Sequence, residues 1–224
     1  MIKLIIFCFL SLTCNIFAGA YEERFERIYG EKLWGVNELG EGFSGGGSKL
    51  ENIRPYYEYL TYFLSSKNIR SVVDLGCGDW EFAKHMDWTG IDYKGFDVVK
   101  SVIEKNNVRY GKDTIHFYCG NFLEMEIPSA DLLICKHVLQ HMPTADVLAF
   151  VKTIIPKFKH CIIVEDMTNY PGYNIDHPLS KEFPFWEDRG TDLTKPPFNL
   201  SGTKTYFCEP NGNKHLILHI ENAS

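Results

Sequence analysis

Through the middle of the chain, short apolar runs rich in β-branched residues alternate with stretches able to form helices. The runs fall at Ser71 to Leu75, Tyr93 to Val98, Ile115 to Cys119, Asp131 to Lys136 and Cys161 to Asp166. Glu81 to Met86, Lys100 to Asn107 and Ala145 to Phe158 are the helical stretches between them. Strands that alternate with helices predict a parallel sheet covered on both faces, a doubly wound α/β fold. Ahead of this core, residues 21 to 34 place Phe25, Ile28 and Tyr29 at helical spacing, and Gly35 to Ser48 reads as a glycine-rich loop. A second helix is expected from Lys49 to Ser65, capped by Ser48, with Ile53, Tyr56, Tyr57, Leu60 and Phe63 or Leu64 along one face. Behind the core, Tyr170 to Gly202 is rich in Pro, Gly, Asn and Asp and has no period. Lys204 to Glu209 and Lys214 to Ile220, on either side of Pro210 to Asn213, read as a hairpin. The expected fold is therefore a mostly parallel, seven-stranded type of α/β sheet closed by a C-terminal antiparallel hairpin.

The first twenty residues follow a different logic. Lys3 supplies a charge, Leu4 to Leu10 is nearly all apolar, and Ala18, Gly19 and Ala20 form a small-residue cleavage pattern, so residues 1–20 are expected to be a signal peptide. Cys8, Ser11, Thr13, Cys14 and Asn15 interrupt the apolar run before it reaches the roughly 20 residues of a membrane span. Cleavage implies a secreted or periplasmic protein; retention implies a cytoplasmic or membrane-associated one. Residues 21–224 then form one domain: a helical and glycine-rich cap over 21–65, a core over 66–169, and a lid-like segment with the hairpin over 170–224.

Composition narrows the chemistry. The net charge of −6, which becomes −7 once Lys3 is removed, opposes the general phosphate attraction on which nucleic-acid binding rests. Of seven cysteines, Cys8 and Cys14 lie in the signal, leaving Cys77, Cys119, Cys135, Cys161 and Cys208. That number is odd, four of them sit in or beside strands, and none shows C-x-x-C spacing, so neither a disulfide framework nor a cysteine zinc site is expected.

The strongest local signal is Val72 to Trp80, VVDLGCGDW: a buried strand with Asp74, then Gly76 and Gly78 at a turn where a ligand can approach the backbone. Glu81 stands where a nicotinamide fingerprint needs its third glycine, so that reading fails. Asp97 ends the next strand, at the distance expected of a ribose-binding acid, and Asn121 follows the third.

These residues, with Gly95-Phe96-Asp97 and DLLICKHVLQHMP from Asp131 to Pro143, resemble class I, Rossmann-like S-adenosylmethionine (SAM) dependent methyltransferases. The chain is similar, more narrowly, to a bacterial group with a glycine- and serine-rich loop like Ser44 to Ser48, a D-L-G-C-G-D-W motif and a Leu-Gln-His after the fourth strand. The resemblance spans about Trp34 to Phe198. It implies that Asp74, Gly76, Cys77 and Gly78 surround the methionine part of SAM, that Asp97 holds the ribose hydroxyls, and that Asn121 and Phe122 flank the adenine. Lys136 would end the fourth strand facing the methyl group. Asn121 stands for the usual Asp, and His137 for an Asp expected before Val138 and Leu139.

Methyl transfer from a sulfonium needs in-line geometry, and a base only where the acceptor carries a proton. His141 and then His137 are the candidate bases, because imidazole titrates near neutrality and both follow the fourth strand. Their spacing also suits metal ligands, but Pro143 ends the stretch and no partner acid is evident, so no metal is expected. Asn174, Asp176, Arg189, Asp192, Leu193, Pro197 and Phe198 resemble the C-terminal pattern of the same group, and Arg189 and Asp192 are expected at a lid over the acceptor. The expected activity is methylation of oxygen or nitrogen on a small-molecule or saccharide-like acceptor. The alternative is an exported binding module that keeps the fold without turnover; an aminopropyltransferase lacks the acidic run it would need near Lys136 to Pro143.

Overall fold

The computed structural model describes residues 11–168, 173–176 and 190–223. Four helices and seven strands are present among them: α1 Ser11–Gly30, α2 Arg54–Ser66, β1 Ser71–Leu75, β2 Asp92–Asp97, α3 Lys100–Tyr110, β3 Ile115–Cys119, β4 Leu132–Lys136, α4 Thr144–Thr153, β5 His160–Asp166, β6 Thr203–Cys208 and β7 Lys214–Glu221. The strands form one sheet in the order β3-β2-β1-β4-β5-β7-β6. β1 to β5 are mutually parallel, while β7 runs antiparallel to both β5 and β6. The expected α/β sheet with its closing hairpin is the observed one.

Each face of the sheet buries one layer. Tyr56, Leu60 and Phe63 of α2 pack with Trp80, Tyr93 and Ile134 on one side. On the other, Phe150 of α4 and Phe158 meet Leu133, Cys135 and Leu218, and Tyr21 of α1 joins them. The helical stripe of α2 is core, as its spacing predicts.

Several element bounds differ from expectation, each for a local reason. α2 begins at Arg54 with Pro55 in its first turn, where the missing N–H costs no hydrogen bond. Ser48 does not cap it; its hydroxyl donates to Gly45 O at 2.7 Å within a short 3₁₀ turn at Gly46–Ser48. The expected helix from Glu81 to Met86 is a single 3₁₀ turn, Ala83–His85. The stacked rings of Trp80 and Trp88 cover β1 and β2 in its place. Pro156 divides the expected helix from Ala145 to Phe158 into α4 and a 3₁₀ turn at Ile155–Lys157, since proline has no N–H to continue the ladder.

α1 starts earlier than expected and continues unbroken past Ala20, then ends at Gly30 instead of reaching Trp34. The Tyr21 hydroxyl donates to Asp146 Oδ2 at 2.6 Å, tying α1 to α4. Residues 1–10 of the expected signal peptide lie outside the described residues. Among the described residues no helix is long and apolar enough to cross a membrane.

Candidate active site

The order of the sheet reverses between β1 and β4, and open α/β folds bind ligands outside the carboxyl ends of strands at such a point. A cavity of about 280 Å³ lies there. Its wall contains every residue expected to hold the cofactor: Asp74, Gly76, Cys77, Gly78, Asp97, Asn121, Phe122 and Lys136. His137 and His141 also line it.

Glycine is required at the β1 turn for two separate reasons. Gly76 and Gly78 have φ of +74° and +54°, in the left-handed region where a Cβ is strained. A Cβ on Gly76 would stand 2.3 Å from Val138 Cγ2, and one on Gly78 would stand 2.3 Å from Ser44 Oγ. The turn is then fixed by its neighbours. Gly76 N–H and Cys77 N–H both donate to Phe96 O, at 2.8 and 3.0 Å. Asn106 of α3 donates to Gly78 O at 2.8 Å.

Asp97, the last residue of β2, accepts Gly78 N–H on Oδ2 and Val99 N–H on Oδ1, each at 3.0 Å. Burial raises its carboxyl to about 6, against the lowering effect of those N–H donors. Asp74 is buried deeper and is pushed up to about 7; the Tyr93 hydroxyl, donating at 2.6 Å, and the Lys136 charge hold it from rising further. The Asn121 side chain organises its own turn, accepting Leu123 N–H at 3.0 Å and donating to Glu124 Oε1 at 3.0 Å, and Phe122 is buried beside it.

At the end of β4 a hydrogen-bonded chain of ionisable groups enters the cavity wall. Lys136 Nζ donates to Gly47 O at 2.7 Å and lies 3.3 Å from His137 Nδ1. His137 Nε2 is 3.1 Å from His215 Nδ1, and His215 Nε2 is 3.1 Å from Glu209 Oε1. An ammonium donates only, so a charged Lys136 leaves one consistent assignment: both rings carry their proton on Nε2 and pass it towards Glu209. Burial brings Lys136 down to about 8 although Asp74 favours its charge. Burial, then Lys136, His215 and His141, holds His137 well below the usual imidazole range, and burial lowers His215 as well. His137 takes a left-handed φ of +55°, with its N–H bonded to Val164 O at 2.7 Å. The turn after it is fixed by buried Glu165, which accepts Leu139 N–H and Gln140 N–H at 3.1 Å.

The cover comes from α1 and the glycine-rich loop. Tyr21, Phe25 and Tyr29 of α1 line the cavity with Trp34, Ser44, Gly45, Gly47 and Ser48. The Tyr29 hydroxyl and Ser44 Oγ share a bond of 2.7 Å, and Ser44 donates to Asp79 at 2.6 Å. Farther along the loop, Glu41 takes a two-pronged bond from Arg109 of α3, at 2.8 and 2.9 Å, which brings its carboxyl down to about 2. His141 packs edge-on against Phe25 and beside Trp34 in the cavity wall.

Asp192 is placed differently from the lid position expected of it. It is buried away from the cavity, and its carboxylate accepts from Thr194 Oγ1 at 2.7 Å and Lys204 Nζ at 2.9 Å. Asn174 links to its backbone in both directions at 2.9 Å, and Asp176 Oδ1 accepts Thr144 N–H at 2.8 Å. Asn174 and Asp192 thus form a brace for the chain before β6. Arg189 lies outside the described residues. From the segment after residue 170, the described residues that reach the cavity are Glu209, Asn213 and His215 of the hairpin.

The structure brings the residues that the sequence assigned to the cofactor into one cavity wall, and adds Glu209 and His215, which the sequence did not single out. Nothing local marks them, because they face Lys136 and His137 only once β7 is laid beside β5.

Residues 73–155 match a protein family described as a methyltransferase domain. Solved structures agree in fold. Magnesium protoporphyrin IX methyltransferase (ChlM) from Synechocystis PCC 6803, with bound SAH, is 15% identical with a TM-score of 0.55, over 95% of this chain and 99% of that one. The N-methyltransferase NodS from Bradyrhizobium japonicum WM9, in complex with S-adenosyl-L-homocysteine (SAH), is 15% identical with a TM-score of 0.55, over 76% of this chain and 87% of that one. The methyltransferase domain of a bacterial Hen1 is 16% identical with a TM-score of 0.57, over 75% of this chain and 97% of that one. None of the curated proteins compared with the sequence matches it. The chain carries the class I SAM-dependent methyltransferase fold.

Proposed function

We propose that this protein is a SAM-dependent methyltransferase acting on an oxygen or nitrogen of a small-molecule or saccharide-like acceptor. The observation that carries this reading is one cavity whose wall combines the Gly76–Gly78 turn and Asp97 with the Lys136–His137–His215–Glu209 chain. The residues fit the cofactor. The Gly76–Gly78 turn presents its backbone in the cavity wall, Asp97 offers acceptors for two ribose hydroxyls, and Phe122 offers an apolar wall for the adenine.

When bound, SAM supplies an electrophilic methyl group on a sulfonium. The chain's own residues then orient the acceptor and remove its proton. In its neutral form, Lys136 takes a proton from an acceptor hydroxyl, and His137 and His215 pass a proton on to Glu209. A carboxylate sink reached through two neutral imidazoles serves an acceptor that must lose a proton, which favours a hydroxyl over an acceptor already ionised. Phe25, Phe82 and Trp34 supply apolar surface beside Gln140 and Asn213, a mixture suited to a ring bearing hydroxyls.

Incubation of the full chain with tritium-labelled SAM and a set of phenols, glycosides and amines tests this reading. Label transferred to a hydroxyl compound supports it; SAM bound without transfer to any of them favours the non-catalytic binding module.

Residues 1–20 are proposed to direct export. Among the residues of α1 whose side chains are described, those that line the cavity are Tyr21, Phe25 and Tyr29, and cleavage after Ala20 keeps all three in the protein. Mass spectrometry of protein from the native cell distinguishes a chain starting at Tyr21 from one that retains the leader.

A further inference from the structure

A second cluster of ligand-type side chains lies at the other end of β5. β5 enters the cavity wall through Asp166, whereas His160 begins the strand. In the antiparallel ladder His160 stands opposite Glu221, and His219, two residues earlier in β7, shares that face of the sheet. His219 Nε2 is 3.3 Å from His160 Nδ1, and His160 Nδ1 is 4.0 Å from Glu221 Oε1. One ligand atom from each residue lies within 4.8 Å of the other two.

We propose that His160, His219 and Glu221 form a zinc site that joins β7 to β5 at the end of the sheet away from the methyl-transfer cavity. Two imidazole nitrogens and one carboxylate oxygen are a borderline donor set of the kind zinc takes. With Zn–N near 2.0–2.1 Å, two ligands of a tetrahedral sphere stand about 3.3–3.4 Å apart, which is the separation already present between His219 Nε2 and His160 Nδ1. Glu221 closes the remaining gap by a side-chain rotation, for which its exposed position leaves room. A fourth position stays open to water.

The surroundings prepare the rings. Phe63 of α2 meets both edge-on, at centroid distances of 5.5 and 4.8 Å, and restricts their rotation. Lys67 is the competing group, 3.7 Å from Glu221 Oε2. Both of those side chains are exposed, and such an ion pair contributes little and breaks readily.

The test uses the full chain, with the exposed thiols Cys119 and Cys208 alkylated and metal removed by chelator. Zinc is titrated against a chromophoric zinc chelator, and thermal unfolding is recorded with and without zinc. We expect one zinc per chain and a higher unfolding temperature with the metal. His219→Ala should weaken zinc by at least the ~10–100-fold that loss of an outer partner of a ligand costs. Glu221→Gln, at the surface, should weaken it as well while keeping the wild-type far-UV dichroism, which separates ligand loss from misfolding. Failure to take up stoichiometric zinc, or equal affinity in wild type and Glu221→Gln, overturns the proposal. Because the readout is zinc alone, the result is independent of whether SAM binds.

Discussion

Asp97 Oδ2 accepts the N–H of Gly78 at 3.0 Å, so the acid at the end of β2 reaches across to the turn that ends β1. One carboxylate holds the glycine turn and, in the proposed function, also offers acceptors to a ribose. It does so only when ionised, and burial has raised it to about 6. SAM affinity should therefore be level above pH 7 and fall about tenfold per unit as pH drops well below 6. Calorimetric titrations between pH 5 and 8 check this; an unchanged affinity at pH 5 would show that Asp97 is not the acceptor.

Gly76→Ala should cost at least the ~1–2 kcal/mol of a left-handed conformation. Its Cβ would also force Val138 away from a 2.3 Å contact, which displaces the turn after His137. Denaturant unfolding measures the first effect, and a loss of SAM binding in the folded variant measures the second.

Glu209→Gln and His215→Asn should leave SAM binding unchanged and lower kcat by about 10²–10⁴, the usual contribution of a general base. Wild-type turnover should rise with pH to a plateau above about 8, since Lys136 must lose its proton before it can accept one. Lys136→Met should abolish turnover and the rise. Steady-state kinetics with the best hydroxyl acceptor check all three.

Asp97, Asp74 and Glu165 have carboxyls raised by burial to about 6, about 7 and about 8. A raised carboxyl binds more protons in the folded chain than in the unfolded one. Its stabilising contribution is complete below the unfolded value, near 4, and is lost as pH rises through the folded value. His137, His160, His215 and His219, lowered by burial, act in the opposite sense below their unfolded value near 6.5. The unfolding temperature should thus decline between pH 7 and pH 8, where Asp74 and Glu165 titrate and the unfolded imidazoles are already neutral, and scanning calorimetry at fixed ionic strength measures the slope.

The parallel core was legible because its central strands, β1, β4 and β5, are largely apolar and buried. Ser71–Leu75 and Ile115–Cys119 have the bounds their sequence predicts, and Asp97 ends its strand as expected. Bounds failed where a single residue overrides a period. Pro156 cuts a helix whose apolar spacing continues beyond it, and the packing of Trp80 and Trp88 replaces the helix that Glu81 to Met86 would have formed. The grouping of Asp74, Asp97, Asn121 and Lys136 in one cavity wall was readable because they sit at or just after the ends of successive parallel strands. Glu209 and His215 were not, since their roles depend on β7 lying against β5, more than 70 residues from His137. Asp192 was expected at a lid because its surroundings resemble the C-terminal pattern of the same group, whereas the folded chain uses its carboxylate to hold Lys204 and Thr194.

The central claim is a SAM site built on Asp97 and the Gly76–Gly78 turn. Isothermal calorimetry of the full chain with SAM and SAH, beside an Asp97→Ala variant, tests it most directly. Binding at micromolar affinity by the wild type, about 8 kcal/mol, with loss in the variant, is the predicted result. A folded wild type that binds neither compound, or an Asp97→Ala chain that binds both as tightly as the wild type, would contradict it.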